Sequence, residues 1–204
     1  MTKALPIVAL LLTAVLSPAR RSNTIHDVDF KNFEYPWDEP SGDMTAWRWL
    51  HMSAATTVRL ADGAAQLDDS DDSDKGVGPP PSLRLTSVTY GILGSHGNEA
   101  AAIELNYSTG GTANWAYLYV YEFKRGSPNL LGRLQSGSRA YGGLVHVAIR
   151  GGALVLDFAD ASKRTGDCCS TGYIRVTYKL TGGRFVESAP QTRGDFAIQN
   201  AVPK

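Results

Sequence analysis

Only two cysteines occur in 204 residues, and they are neighbours, Cys168 and Cys169. That excludes a disulfide-dense secreted scaffold. Charge of one sign is also missing. Twenty Lys and Arg face twenty Asp and Glu, so no long-range field steers the chain onto nucleic acid or an anionic membrane. No apolar run approaches the roughly 20 residues of a bilayer-crossing helix. The chain carries no H-E-x-x-H, no G-x-S-x-G and no phosphate-cradling G-x-x-x-x-G-K. Its four histidines (His26, His51, His96 and His146) are scattered. No catalytic residue, cofactor or metal site is expected.

What is present begins with an export signal. Lys3 supplies a positive start, residues 4–16 form an apolar run broken only by Pro6 and Thr13, and Ser17-Pro18-Ala19 offers the small residues that a signal peptidase reads. Residues 1–19 are therefore expected to be a helical, cleavable signal peptide. No cysteine follows to take a lipid, so the processed protein should be periplasmic or extracellular, without a transmembrane anchor.

Period-two alternation dominates after Ser82. Ile174, Val176, Tyr178 and Leu180 alternate with Tyr173, Arg175, Thr177 and Lys179, and Leu154, Leu156 and Phe158 alternate with Ala153, Val155 and Asp157. Residues 144–149 are apolar on both faces apart from His146, and residues 100–107, 115–123 and 129–134 read as further strands. Gly151-Gly152 and Gly182-Gly183 suit two-residue hairpin turns, whose central residues need positive φ. Gly126-Ser127-Pro128 reads as another turn. Short connections make neighbours antiparallel. The expected fold is all-β, a meander of seven to nine strands over residues 82–189, closed as a sandwich or a partly open barrel. Residues 20–81 form an N-terminal extension. In it, residues 28–33 suggest an edge strand. Residues 43–52, with Trp47 and Leu50 three apart behind an Asp43 cap, suggest one short helix. Residues 68–74 are acidic and lead into Gly78-Pro79-Pro80-Pro81, a composition with too little apolar content to order itself. Residues 190–204 lack any period and read as a flexible tail.

Several places offer chemistry. In an oxidising compartment Cys168 and Cys169 pair with each other or with another chain. Their Cα atoms lie about 3.8 Å apart across a trans peptide, below the usual disulfide range, and strained disulfides are reduced more easily. A stiff turn, a redox-sensitive or ligand-contacting turn, and a soft-metal site all remain open. Trp115, Tyr117, Tyr119, Tyr121 and Phe123 put five rings on one face of one strand. Exposed, the rings of Trp115, Tyr117, Tyr119 and Tyr121 would make a ligand platform for sugars or an extended peptide; covered, they would pack against a second sheet. Asp157 and Asp160 are a carboxylate pair of the type that glycosidases use, at a spacing that is not diagnostic. Arg193-Gly194-Asp195 spells an adhesion tripeptide that chance also supplies.

Residues 90–99 resemble the calcium loop of FG-GAP β repeats, with Ile92 and His96 where acids belong and Glu99 as the one charged candidate. This implies a turn that has kept its shape and lost its ion. A wider resemblance is carried by Asp29-Phe30-Lys31-Asn32-Phe33 with Tyr35-Pro36-Trp37, Tyr90-Gly91 with Gly97, and Thr109-Gly110-Gly111-Thr112. Gly137-Ser138-Arg139-Ala140-Tyr141-Gly142-Gly143-Leu144, Gly166-Asp167-Cys168-Cys169 and Gly183-Arg184-Phe185 complete it. Together these segments resemble a loosely defined family of exported bacterial proteins without an assigned activity, in which proline often follows the Cys pair where this chain has Ser170. The resemblance implies fold and export and no reaction class. The expected function is a non-enzymatic binding or envelope-associated module whose partner is a polysaccharide, a peptide or another envelope protein. The alternative is a redox-active or hydrolytic protein that uses the Cys pair or the Asp pair.

Overall fold

The computed structural model describes residues 24–40, 46–67, 79–94 and 97–196. The signal peptide, the Asp43 cap, the acidic run, His96 and the end of the tail lie outside these residues.

The fold is an antiparallel β-sandwich, not a closed barrel. Thirteen strands follow in order: β1 (Glu34–Trp37), β2 (Arg48–Trp49), β3 (Thr56–Arg59), β4 (Ala64–Gln66), β5 (Ser82–Leu93), β6 (Asn98–Ser108), β7 (Asn114–Lys124), β8 (Ser127–Ser138), β9 (Leu144–Arg150), β10 (Ala153–Ala159), β11 (Gly172–Thr181), β12 (Arg184–Glu187) and β13 (Thr192–Asp195). One sheet runs β2-β8-β7-β6-β5-β4. The second runs β12-β11-β10-β9, with β13 also on β11, and β1 and β3 form a small third ribbon.

Alternation sets the layers. Leu118, Val120, Leu134, Ala100 and Ala102 of the six-stranded sheet meet Leu154, Leu156, Phe158 and Val176 of the five-stranded one. The opposite face of β6 and β7 meets the N-terminal segment. Both glycine pairs make the expected turns, with φ of 59° and 74° at Gly151-Gly152 and 58° and 77° at Gly182-Gly183. Where the two sheets close on each other, a Cβ at Gly91 would stand 2.7 Å from Ile149 Cβ. Only glycine lets β5 pass β9 there.

Four expectations are corrected. Residues 28–33 are not an edge strand: they follow the 3-10 turn Ile25–Asp27 and contain a second, Phe30–Asn32, capped by Asp29. Residues 46–52 contain no helix. Arg48 and Trp49 pair with Gln135 and Leu134 of β8, because Trp47 and Trp49 both need the second sheet, where they stack on Phe158 (4.1 Å between ring centres) and Phe185 (4.5 Å). That is a period of two, not of 3.6. The β7–β8 turn is Arg125-Gly126, and Pro128 already lies in β8 opposite Phe123. The tail is not loose through Asp195, since β13 pairs Thr192–Asp195 with Arg175, Ile174, Tyr173 and Gly172.

Candidate functional site

The ring-bearing strand β7 is not an open platform. Tyr117, Tyr119 and Tyr121 are buried, and their cover is the N-terminal segment rather than the second sheet. Phe33, Tyr35 and Trp37 alternate with the same period of two and lie ring against ring on Tyr121 (5.3 Å), Tyr119 (5.1 Å) and Tyr117 (4.8 Å). Trp115, half-buried, packs on Tyr107 at 5.9 Å. The phenols find partners in the covering segment. Tyr119 donates to the Pro36 carbonyl (2.7 Å), Tyr117 to that of Asp38 (3.2 Å), and Tyr35 to that of Phe30 (2.8 Å). Burial pushes all these phenols far above the ordinary tyrosine range. Arg133 of β8, 1 % exposed, reaches through the same layer to donate to the carbonyls of His51 and Ser53 and to the Asp38 carboxylate. Ligands therefore have no access to this face.

The exposed chemistry gathers at one end of the five-stranded sheet. The chain leaves β10 at Asp160, turns through the 3-10 segment Ala161–Lys163, and re-enters the sheet at Gly172. Cys168 and Cys169 are disulfide-bonded and both exposed. Local hydrogen bonds fix the loop that carries them. Asp160 accepts from the Ser162 backbone N–H (2.9 Å) and hydroxyl (2.6 Å), and Thr165 N–H donates to the Cys169 carbonyl (3.0 Å). The Ser170 hydroxyl donates to the carbonyls of Asp160 (2.8 Å) and Gly172 (2.9 Å). Strand β13 braces the loop from outside, with Arg193 on Asp160 (2.6 Å) and Lys163 on Asp195 (2.5 Å).

A second loop stands beside it. Residues 137–144 close on themselves through Gly143 N–H to the Arg139 carbonyl (2.9 Å), and Gly143 in turn accepts from Ala159 N–H (2.8 Å). This places Tyr141 over the disulfide loop. Its hydroxyl donates to Asp167 Oδ1 (2.7 Å), which raises the phenol's pKa, and the Arg164 guanidinium lies 4.4 Å from its ring centre. Arg164 and Asp167 also face each other at 3.9 Å. Tyr141, Arg164 and Asp167, neighbours of the Cys168–Cys169 pair, were not singled out as site residues by sequence. The one signal was that Tyr141 and Asp167 sit in two of the conspicuous glycine-bearing segments.

The Asp pair is divided between two arginines. Asp157, 5 % exposed, takes a two-pronged contact from Arg175 (2.7 and 2.8 Å). Asp160, 1 % exposed, belongs to Arg193 and the turn it caps. Burial opposes ionisation of Asp160, but the Ser162 and Arg193 hydrogen bonds outweigh it and hold its pKa below the ordinary Asp value. The hydrolytic expectation for this pair is thereby withdrawn, because each carboxylate is buried and held by its own cation. The adhesion tripeptide is also engaged, with Arg193 and Asp195 both in ion pairs. In the FG-GAP-like turn Ile92 is exposed, and Glu99 Oε1 accepts from His26 Nε2 at 2.7 Å, the imidazole stacked 4.1 Å from Tyr90. Among the described residues, no three His, Cys, Asp or Glu side chains stand close enough to hold a metal ion, and no helix is long and apolar enough to cross a membrane. No family model, curated protein or solved structure matches the chain.

Proposed function

We propose that the chain is an exported β-sandwich that binds a partner without chemistry, using the disulfide-closed loop and Tyr141 as its contact surface. The partner is an envelope polysaccharide, a peptide or another envelope protein. One observation carries the proposal: Tyr141 of one loop is held against Arg164 and Asp167 of the exposed disulfide loop beside it. Side chains already held in place lose little conformational freedom on binding, which favours affinity. A half-buried ring with an arginine on it and a disulfide nearby offers stacking and hydrogen bonding together. Export is supported by the leader-like residues 1–19 and by a cysteine pair suited to an oxidising compartment. The resemblance to exported bacterial proteins belongs to the same proposal.

Fusing the chain ahead of a periplasm-dependent alkaline phosphatase tests export, and an inactive fusion whose leader stays attached would end that part. Co-sedimentation with cell-wall and capsular polysaccharides, and peptide arrays, test binding. Tyr141→Ala should abolish whatever capture the wild type shows, and unchanged capture by a folded Tyr141→Ala protein would refute the loop as the surface.

The exposure of both cysteines favours a second reading, a redox component. Mass spectrometry across a graded series of dithiol reductants separates the two. A pair that stays oxidised throughout the thioredoxin range, about −270 mV, rules out the redox role.

A further inference from the structure

The other end of the sandwich holds a cleft of about 460 Å³ between the β5–β6 turn and the β11–β12 hairpin. Strand β11 separates it from the disulfide loop by about 30 Å. Leu93, Leu131 and Leu180 are its apolar walls, Asn98 and Thr181 also line it, and its charged group is the carboxylate of Glu122 on β7, a residue 6 % exposed. Two amides orient that carboxylate, Asn98 Nδ2 on Oε2 (3.0 Å) and Asn129 Nδ2 on Oε1 (3.2 Å). A carboxylate has about four acceptor positions, so each oxygen keeps capacity after these bonds. Lys124 Nζ pairs with Oε1 from 3.7 Å, too far for a hydrogen bond, on a largely exposed side chain that can swing away.

We infer that this cleft is a binding site for a small aliphatic ammonium compound, its charged head on Glu122 and its hydrocarbon stem between Leu93, Leu131 and Leu180. A buried carboxylate already ordered by neutral amides favours a compact cation that brings several N–H donors. It disfavours an anion. The cleft walls carry no aromatic ring, so a pyranose would find no stacking surface. The inference is independent of the contact surface at the other end.

The test is a titration of the full chain with n-butylammonium chloride, followed by NMR at the side-chain amides of Asn98 and Asn129, with n-butanol and sodium chloride as controls. The ammonium compound should shift both amides saturably, with a Kd in the millimolar range that suits five heavy atoms. The alcohol should bind at least about tenfold more weakly. Equal binding of alcohol and amine, or shifts no larger than sodium chloride gives, would overturn the inference without any variant. Glu122→Gln should lose at least about tenfold in affinity. If that variant fails to fold, Leu131→Trp, which fills the cleft from its wall, should lose binding instead. Retained affinity in whichever folds overturns the site.

Discussion

Replacing Arg133 with methionine keeps a long apolar stem and removes five N–H donors from the layer that covers β7. Three acceptors each lose a bond: the His51 and Ser53 carbonyls and the Asp38 carboxylate, which keeps the Ala55 N–H (2.9 Å). The Pro36 carbonyl, 3.5 Å from the guanidinium, keeps the Tyr119 hydroxyl. His51 and Ser53 are exposed residues whose carbonyls water can reach, so each lost bond costs about 0.5–1.5 kcal/mol. Asp38 is 36 % exposed and recovers much of its hydration, so its share is about 0–1 kcal/mol. A loss of about 2 kcal/mol is expected. With a urea slope near 2 kcal/mol/M, the midpoint should fall by about 1 M. Urea titration followed by tryptophan fluorescence, with Trp37 and Trp49 as native reporters, measures it. The same variant should raise the Asp38 pKa toward the ordinary carboxylate value, since Arg133 is one of the groups that hold it down against burial. A midpoint within about 0.3 M of wild type would refute the role of Arg133 in fastening the covering layer.

Reducing the Cys168–Cys169 bond, or the double change to serine, should cost only about 1 kcal/mol, because joining adjacent residues removes little chain entropy; a melting shift above roughly 8 °C would contradict this. Gly91→Ala should destabilise by about 1–3 kcal/mol through the collision with Ile149, read as a lower urea midpoint. Arg125 sits at φ 53° in the β7–β8 turn, so Arg125→Asn, which creates an Asn-Gly turn, should stabilise by about 0.5–1 kcal/mol in the same assay. For Asp160, whose folded pKa is depressed, the stabilisation is present above the unfolded value of about 3.9 and fades as pH falls through the folded value. The stability gap between wild type and Asp160→Asn should therefore be full at pH 7 and close below pH 4, and a gap that persists at pH 2 would count against the ion pair.

Strands β10 and β11 were legible because they obey a strict period of two and the turns beside them are written in glycine pairs. The identity of what covers each face was not. Residues 115–123 are apolar on both sides, and such a pattern says that two layers exist without saying which is which. The answer lay in Phe33, Tyr35 and Trp37, three rings at the same period, whose proline neighbour hides a strand that has no long run. Trp47-Arg48-Trp49 was misread because Trp47 and Leu50, three apart, mimic one helical turn. In fact Leu50 packs on the outer core and the tryptophans on the inner one. The contact between Tyr141 and Asp167 spans 26 residues and depends on how two loops close, which no local pattern encodes. The Arg193–Asp160 pair was missed because a four-residue strand made of Thr, Arg, Gly and Asp has no apolar face to announce it.

The two ends of the described chain leave the sandwich at opposite poles. Phe196 donates its N–H to the Thr171 carbonyl beside the disulfide loop. His26 is bonded to Glu99, next to Asn98 of the ammonium cleft. Anchoring the protein to a chip or bead directly after Phe196 therefore crowds the Tyr141 pole and leaves the Glu122 pole free, while anchoring near Thr24 does the reverse. The choice of tether decides which of the two surfaces an assay can detect.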